Sequence, residues 1–169
     1  MKKGVVLLFV FIVSISARLS AQNPPASPHT SEMAQAKSGH VDTAYLREIL
    51  DTWSSFDLDK AGRYYVQAPD HLFFDIAPLK YSNWAEYKAG VQPSLKQYSS
   101  FLFTINDDLR IHPAGNVTWV VGTLNVDAIT VKGDKEKMVL RWTAVFQKHG
   151  GRWLIEHEHV SVPLNQPNP

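Results

Sequence analysis

The 169-residue chain contains no cysteine. That absence excludes a disulfide framework, a thiol nucleophile, cysteine-based zinc or iron–sulfur sites and a lipid-modified cysteine at an export site. A chain of this length buries about 70% of its unfolded surface on folding, so it needs no such staple. Beyond residue 21 there is no run of basic residues, and 17 basic side chains nearly balance 16 acidic ones. Both features argue against a nucleic-acid footprint. The apolar run Val5–Val13 is well short of the roughly 20 residues a bilayer core requires.

What the amino terminus does have is the layout of an export signal. Lys2 and Lys3 precede the apolar run, and Leu19 and Ala21 sit at minus three and minus one of a cleavage site. Cleavage there removes three basic residues and no acid, which turns the formal charge from +1 to −2. The expectation is a periplasmic or secreted protein with no stable membrane anchor after cleavage. Residues 22–40 are rich in Pro, Ser and Ala without apolar periodicity and read as a flexible linker. Residues 164–169 read as a disordered tail, which leaves 41–163 as the folded domain.

Within that domain the apolar period changes once. Tyr45, Leu46, Ile49, Leu50, Trp53 and Phe56 recur at three- and four-residue steps, the mark of an amphipathic helix, with Asp42 as its cap. Asp57 caps a second, short helix ending near Tyr65. Asn83 and Glu86 have cap-and-third-position spacing for a third helix, which Pro93 kinks or shortens. Between the last two, His71–Asp75 reads as a brief aromatic strand. From residue 99 the period falls to two, predicting strands over 99–112, 115–131, 136–149 and 152–162, joined by Gly- and Asn-containing turns. Three amino-terminal helices packed on a strongly curved, mainly antiparallel sheet make an α+β, cone-shaped barrel open at one end.

Unbroken alternation in the last strand puts Trp153, Ile155, His157, His159 and Ser161 on one face, taken as the core side because of Trp153 and Ile155. Arg141 and Thr143 on the preceding strand are expected beside the histidines. Such a cavity suits a small anionic or carbonyl ligand, because Arg donates in a fixed fork and His titrates near neutrality. The same cluster also reads as a structural hydrogen-bond network or as a pocket without chemistry. His157 and His159 have the spacing of a metal pair but lack an evident third ligand, so neither metal nor cofactor is expected. Asp75, at the end of an apolar strand, is a candidate general base if burial raises its pKa; the alternative is a turn-forming aspartate before Pro78. Trp84 and Tyr87 on the third helix are further candidates for ligand contact. Trp142, Phe146, Leu154 and Val160 fall on the opposite sheet face, where such an apolar patch implies a homodimer interface.

The element order and the ending Arg141-x-Thr143-x-Val145, then Gly151-x-Trp153-x-Ile155-x-His157-x-His159-x-Ser161, resemble the nuclear-transport-factor-2-like superfamily and its SnoaL-like branch. The ending is similar also to the association (hub) domain of calcium/calmodulin-dependent kinase. The resemblance implies a cone with a pocket between helices and sheet, often dimeric. Its members include isomerases, polyketide cyclases, dehydratases and non-catalytic binding or oligomerising domains. It places Asp75 where the isomerase-like enzymes hold their proton-abstracting carboxylate. By the same resemblance Thr143 stands where ketosteroid isomerases carry a second acid, and Ile49 near their tyrosine, so steroid isomerisation is not expected. The combined expectation is a carbonyl- or carboxylate-bearing small molecule in the cone, with Asp75 as base, His157 or His159 as acid or oxyanion donor, and Arg141 orienting the carboxylate or carbonyl. The alternative is a self-association module without catalysis.

Overall fold

The computed structural model describes residues 39–164. The expected signal segment, the linker up to residue 38 and the tail from residue 165 lie outside the described residues. Helix α1 (Thr43–Ser54) starts at Asp42, whose Oδ1 accepts from the Tyr45 N–H at 2.8 Å. Its stripe of Tyr45, Leu46, Ile49 and Leu50 is buried. Asp57 caps the one-turn helix α2 (Leu58–Ala61), which tightens into a 3₁₀ turn over Gly62–Tyr64. Helix α3 (Trp84–Leu95) opens with Asn83 accepting from the Glu86 N–H at 2.9 Å, and it carries Pro93 within its last turn.

The strands are β1 (Phe73–Phe74), β2 (Tyr98–Ile105), β3 (Arg110–Ala114), β4 (Val117–Thr130), β5 (Lys135–His149) and β6 (Arg152–Ser161). They form one curved, unclosed sheet in the order β1-β6-β5-β4-β2, with β3 following β2 along the same edge of β4. Among the described strands only the β1–β6 pairing is parallel. The helices cover its concave face, where Trp142, Phe146, Ile155 and Val120 are almost completely buried.

Two sequence expectations need correction. The strand expected over 99–112 is interrupted at residues 106–109. There Asp108 Oδ1 accepts from the Thr123 N–H at 2.9 Å, so a side chain replaces the ladder bond a continuous strand would make. The second concerns β6. Its register against β5 slips between Val145↔His157 and Phe146↔Ile155, leaving Glu156 as the extra residue of a β-bulge. Because side-chain direction has period two, one extra residue reverses every side chain beyond it.

The loop from Asp75 to Lys80 is closed by a reciprocal pair of backbone bonds between Phe73 and Tyr81, each 2.9 Å. Gly90 lets α3 lie against this loop, since a Cβ there would stand 2.2 Å from a Tyr81 ring carbon. Gly90→Ala is therefore expected to destabilise the domain by about 1–3 kcal/mol, through overpacking rather than helix propensity. Urea denaturation measures this, and a neutral or stabilising outcome would mean that α3 and Tyr81 are not in contact.

Candidate functional site

Between the helices and the concave sheet face lies a cavity of about 290 Å³. Its apolar wall includes Leu50, Val91, Leu124, Val126, Leu140 and Val160. At its polar end are two carboxyls, Asp75 and Glu158. Asp75 follows β1 directly and is partly buried. Glu158 is 4% exposed, because the bulge at Glu156 turns it and Val160 toward the helices.

Glu158 is held by three donors from three segments. Trp142 Nε1 donates to Oε1 at 2.7 Å, while the Tyr65 and Tyr87 hydroxyls donate to Oε2 at 2.7 and 3.3 Å. Trp53 Nε1 in turn donates to the Tyr65 hydroxyl at 3.0 Å. Tyr65 thus accepts from Trp53 and gives its single proton to Glu158. Tyr87 makes no other hydrogen bond among the described residues, so its proton is free to turn. Burial pushes the Glu158 carboxyl up to about 7, the three donors pull against that rise, and nearby Asp75 adds to it. Asp75 is raised as well, by burial, against a bond from the Ile76 N–H. Both tyrosine hydroxyls lie well above their ordinary value, first from burial and then from Glu158.

Of the residues expected from sequence, Asp75 and Tyr87 line the cavity, and Trp84 is buried stacked on Tyr65 with ring centroids 4.4 Å apart. His157, His159, Ser161, Arg141 and Thr143 do not line it. They do come together, since Thr143 pairs with His159 and Arg141 with Ser161. The bulge, however, puts this group on the face away from the helices. There His157 Nδ1 lies 2.7 Å from the Leu72 carbonyl, and the rings of both histidines stand edge-on to Phe74. His159 and Ser161 border a separate, more open depression, which shares Asp75, Ile76, Ala77 and Val160 with the cavity. Among the described residues no three potential metal ligands converge.

The expected interface patch of Trp142, Phe146, Leu154 and Val160 does not lie together on the outer face; of the four only Leu154, which pairs with Gln147, stays there. Trp142 and Phe146 are 1% and 0% exposed within the single chain, and Val160 lines the cavity. The second carboxyl is a correction too. Thr143 does not supply one, but Glu158 brings a carboxyl into the cavity from a neighbouring strand. One sequence signal pointed to it: Glu158, Val160 and Val162 share a parity, and two of the three are apolar.

Glu156, the bulged residue, is held at its two oxygens by different imidazoles. His71 Nε2 lies 2.5 Å from Oε2, and His149 Nε2 contacts Oε1. His71 comes from the segment leading into β1 and His149 from the last position of β5. The bulge that aims Glu158 is thereby tied to the segment that carries Asp75.

Solved structures of similar fold are distant in sequence. A nuclear transport factor 2-like superfamily protein from Salmonella enterica serovar Typhimurium superimposes with a TM-score of 0.64 at 17% identity, covering 72% of this chain and 88% of its own. A candidate calcium/calmodulin-dependent protein kinase II association domain from Xanthomonas campestris gives 0.62 at 18%, covering 78% and 94%. A candidate dehydratase of the same fold family from Streptomyces avermitilis gives 0.60 at 14%, covering 71% and 92%. No curated protein matches the sequence. The SnoaL-like domain family matches residues 43–165, the three-helix, curved-sheet unit that encloses the Asp75–Glu158 cavity. The chain therefore belongs to the SnoaL-like domain family, and its fold is that of nuclear-transport-factor-2-like proteins.

Proposed function

We propose that this protein binds a small organic molecule in its cone and moves a proton on it. The observation that carries this reading is the meeting of two carboxyls with raised pKa values at one end of an otherwise apolar cavity. Asp75 is the acceptor, because one of its oxygens is engaged only by the adjacent Ile76 N–H and the other by nothing among the described residues. Tyr87 and Glu158 form the donor side. When Glu158 is ionised, Tyr87 directs its proton at the carboxylate. Once Glu158 is protonated it can donate to the Tyr87 oxygen, which turns the phenol proton toward a guest. This is the acid–base chemistry of isomerases and dehydratases, and the neighbour from Streptomyces is named a candidate dehydratase.

Tryptophan placement supplies the test. Trp53 and Trp142 line the cavity, whereas Trp119 is 42% exposed on the outer sheet face. In a screen of small organic compounds read by indole N–H signals, a ligand of the cavity is expected to move Trp53 and Trp142 and leave Trp119 in place. Hits that move Trp119 alone would contradict the reading.

We also propose export to the periplasm or beyond, on the strength of Lys2, Lys3, the Val5–Val13 run and Ala21. The chain is further proposed to form a homodimer through the outer sheet face, where Trp119 stacks on His112 with ring centroids 5.1 Å apart beside Val145. The similarity to an association domain supports self-association, which is compatible with an occupied cavity and is the function that would remain without catalysis. Light scattering is expected to give twice the monomer mass, and Trp119→Lys to return the monomer; a wild-type monomer at micromolar concentration would exclude the interface.

A further inference from the structure

The cavity lining contains Asp75 and Glu158 but no lysine, arginine or histidine. The groups that meet the two carboxyls on the cavity side are Tyr65 after the 3₁₀ turn, Tyr87 on α3 and Trp142 on β5, with Tyr81 close to Asp75, and none of them can carry a positive charge. The nearest imidazole, His159, borders only the outer depression that Asp75 shares and does not line the cavity. A guest bearing a carboxylate would add a third acid to this enclosure without a cation to meet it. An uncharged guest could donate to Asp75 but would offset none of the charge that the two carboxyls acquire when they ionise. A cation meets both needs, and the cavity's rings, among them Trp53, Tyr87, Phe101, Phe103 and Trp142, offer the faces on which organic cations rest.

The two carboxyls are not equivalent toward such a guest. Both Glu158 oxygens are already engaged by Trp142, Tyr65 and Tyr87, so Glu158 acts across space. Asp75 Oδ2 has no partner among the described residues and is the acceptor within direct reach. The volume of 290 Å³ equals that of about ten water molecules, room for one or two rings and a short arm.

We propose that the natural ligand of this cavity is a small organic amine, bound as its ammonium ion on Asp75 with its hydrocarbon part against the aromatic wall. This rests on the cavity being the ligand site, and it replaces the carboxylate-bearing ligand expected from sequence with one of opposite charge. Its consequence is proton release. An ammonium ion favours the charged forms of both carboxyls, and Glu158, titrating at about 7, surrenders part of its proton when the cation arrives.

Three probes of one shape separate the possibilities: 1-naphthylmethylamine, 1-naphthylmethanol and 1-naphthoate, titrated calorimetrically at pH 7 in two buffers of different ionisation enthalpy. The amine is expected to bind at least about tenfold more tightly than the alcohol, with naphthoate weakest. Its heat should differ between buffers in the sense of protons released, and it should move the Trp53 and Trp142 indole signals. Asp75→Asn is expected to shrink the amine-to-alcohol ratio to about twofold or less, since the amide keeps the size and loses the charge. If the alcohol or naphthoate binds as tightly as the amine while those indoles move, the amine assignment is overturned and the cavity stands as a ligand site. If no probe moves either indole, both readings fail.

Discussion

Replacing Asp75 by Asn is expected to slow proton exchange between solvent and a cavity-bound ligand by about 10²- to 10⁴-fold, the usual contribution of a positioned general base. Deuterium uptake from D₂O into a ligand identified by its effect on the Trp53 and Trp142 signals measures that rate. The substitution keeps the side chain's size and its carbonyl oxygen, so the bond from the Ile76 N–H survives. Folding should survive with it. Because burial already holds the Asp75 carboxyl above its ordinary pKa, removing its charge costs the native state nothing at pH 8. A loss of rate at unchanged urea midpoint supports the assignment; an unchanged rate removes Asp75 from the chemistry.

The second large effect is on stability, and its sign is opposite to that of an ordinary salt-bridged carboxylate. Glu158 titrates at about 7 when folded, against an ordinary 4.5, so the native state holds this proton more tightly than the unfolded chain does. Stability from this group is complete below 4.5 and is lost as pH rises toward 7. The total is about 3 kcal/mol, on the order of 10 °C in melting temperature for a domain of this size. Asp75 acts in the same direction. Glu158→Gln should flatten the dependence, since the amide mimics the protonated acid at every pH. At pH 8 two effects oppose each other in that variant. It escapes the cost of a buried charge, but its NH₂ must face either Trp142 Nε1–H or the two tyrosine hydroxyls, an unsatisfied contact worth about 1–3 kcal/mol. Net stability at pH 8 should therefore change little while the slope disappears. Equal slopes for the two proteins would show that Glu158 is ionised at ordinary pH in both states.

How far the sequence carried this account can be followed along β5 and β6. The helix caps at Asp42, Asp57 and Asn83 were legible because capping is local: an oxygen and an N–H three residues apart suffice. Asp75 was legible for a similar reason, as a carboxyl at the end of an apolar strand. The inward face of β5 was written in its own alternation, Trp142, Ala144 and Phe146 against Arg141, Thr143 and Gln147. It was misassigned because β6 was read as an unbroken strand and β5 was aligned to its histidines. The bulge at Glu156 is not a local property. It depends on His71, 85 residues earlier in the chain, and on His149 across the turn. No period in Glu156-His157-Glu158-His159 distinguishes an in-register strand from a slipped one, because all four residues are polar. The slip moved the imidazoles outward and Glu158 inward, and so changed the cavity's charge from positive to negative.

Everything functional depends on Glu158 lying in that cavity within the network of Tyr65, Tyr87 and Trp142. Carboxyl ¹³C NMR of Glu158, followed from pH 4 to 9, tests this most directly. A midpoint near 7 is predicted, with the Trp142 indole N–H signal following the same curve because it donates to Oε1. A midpoint near the ordinary 4.5, with the Trp142 signal unmoved, would place Glu158 in water and contradict the account.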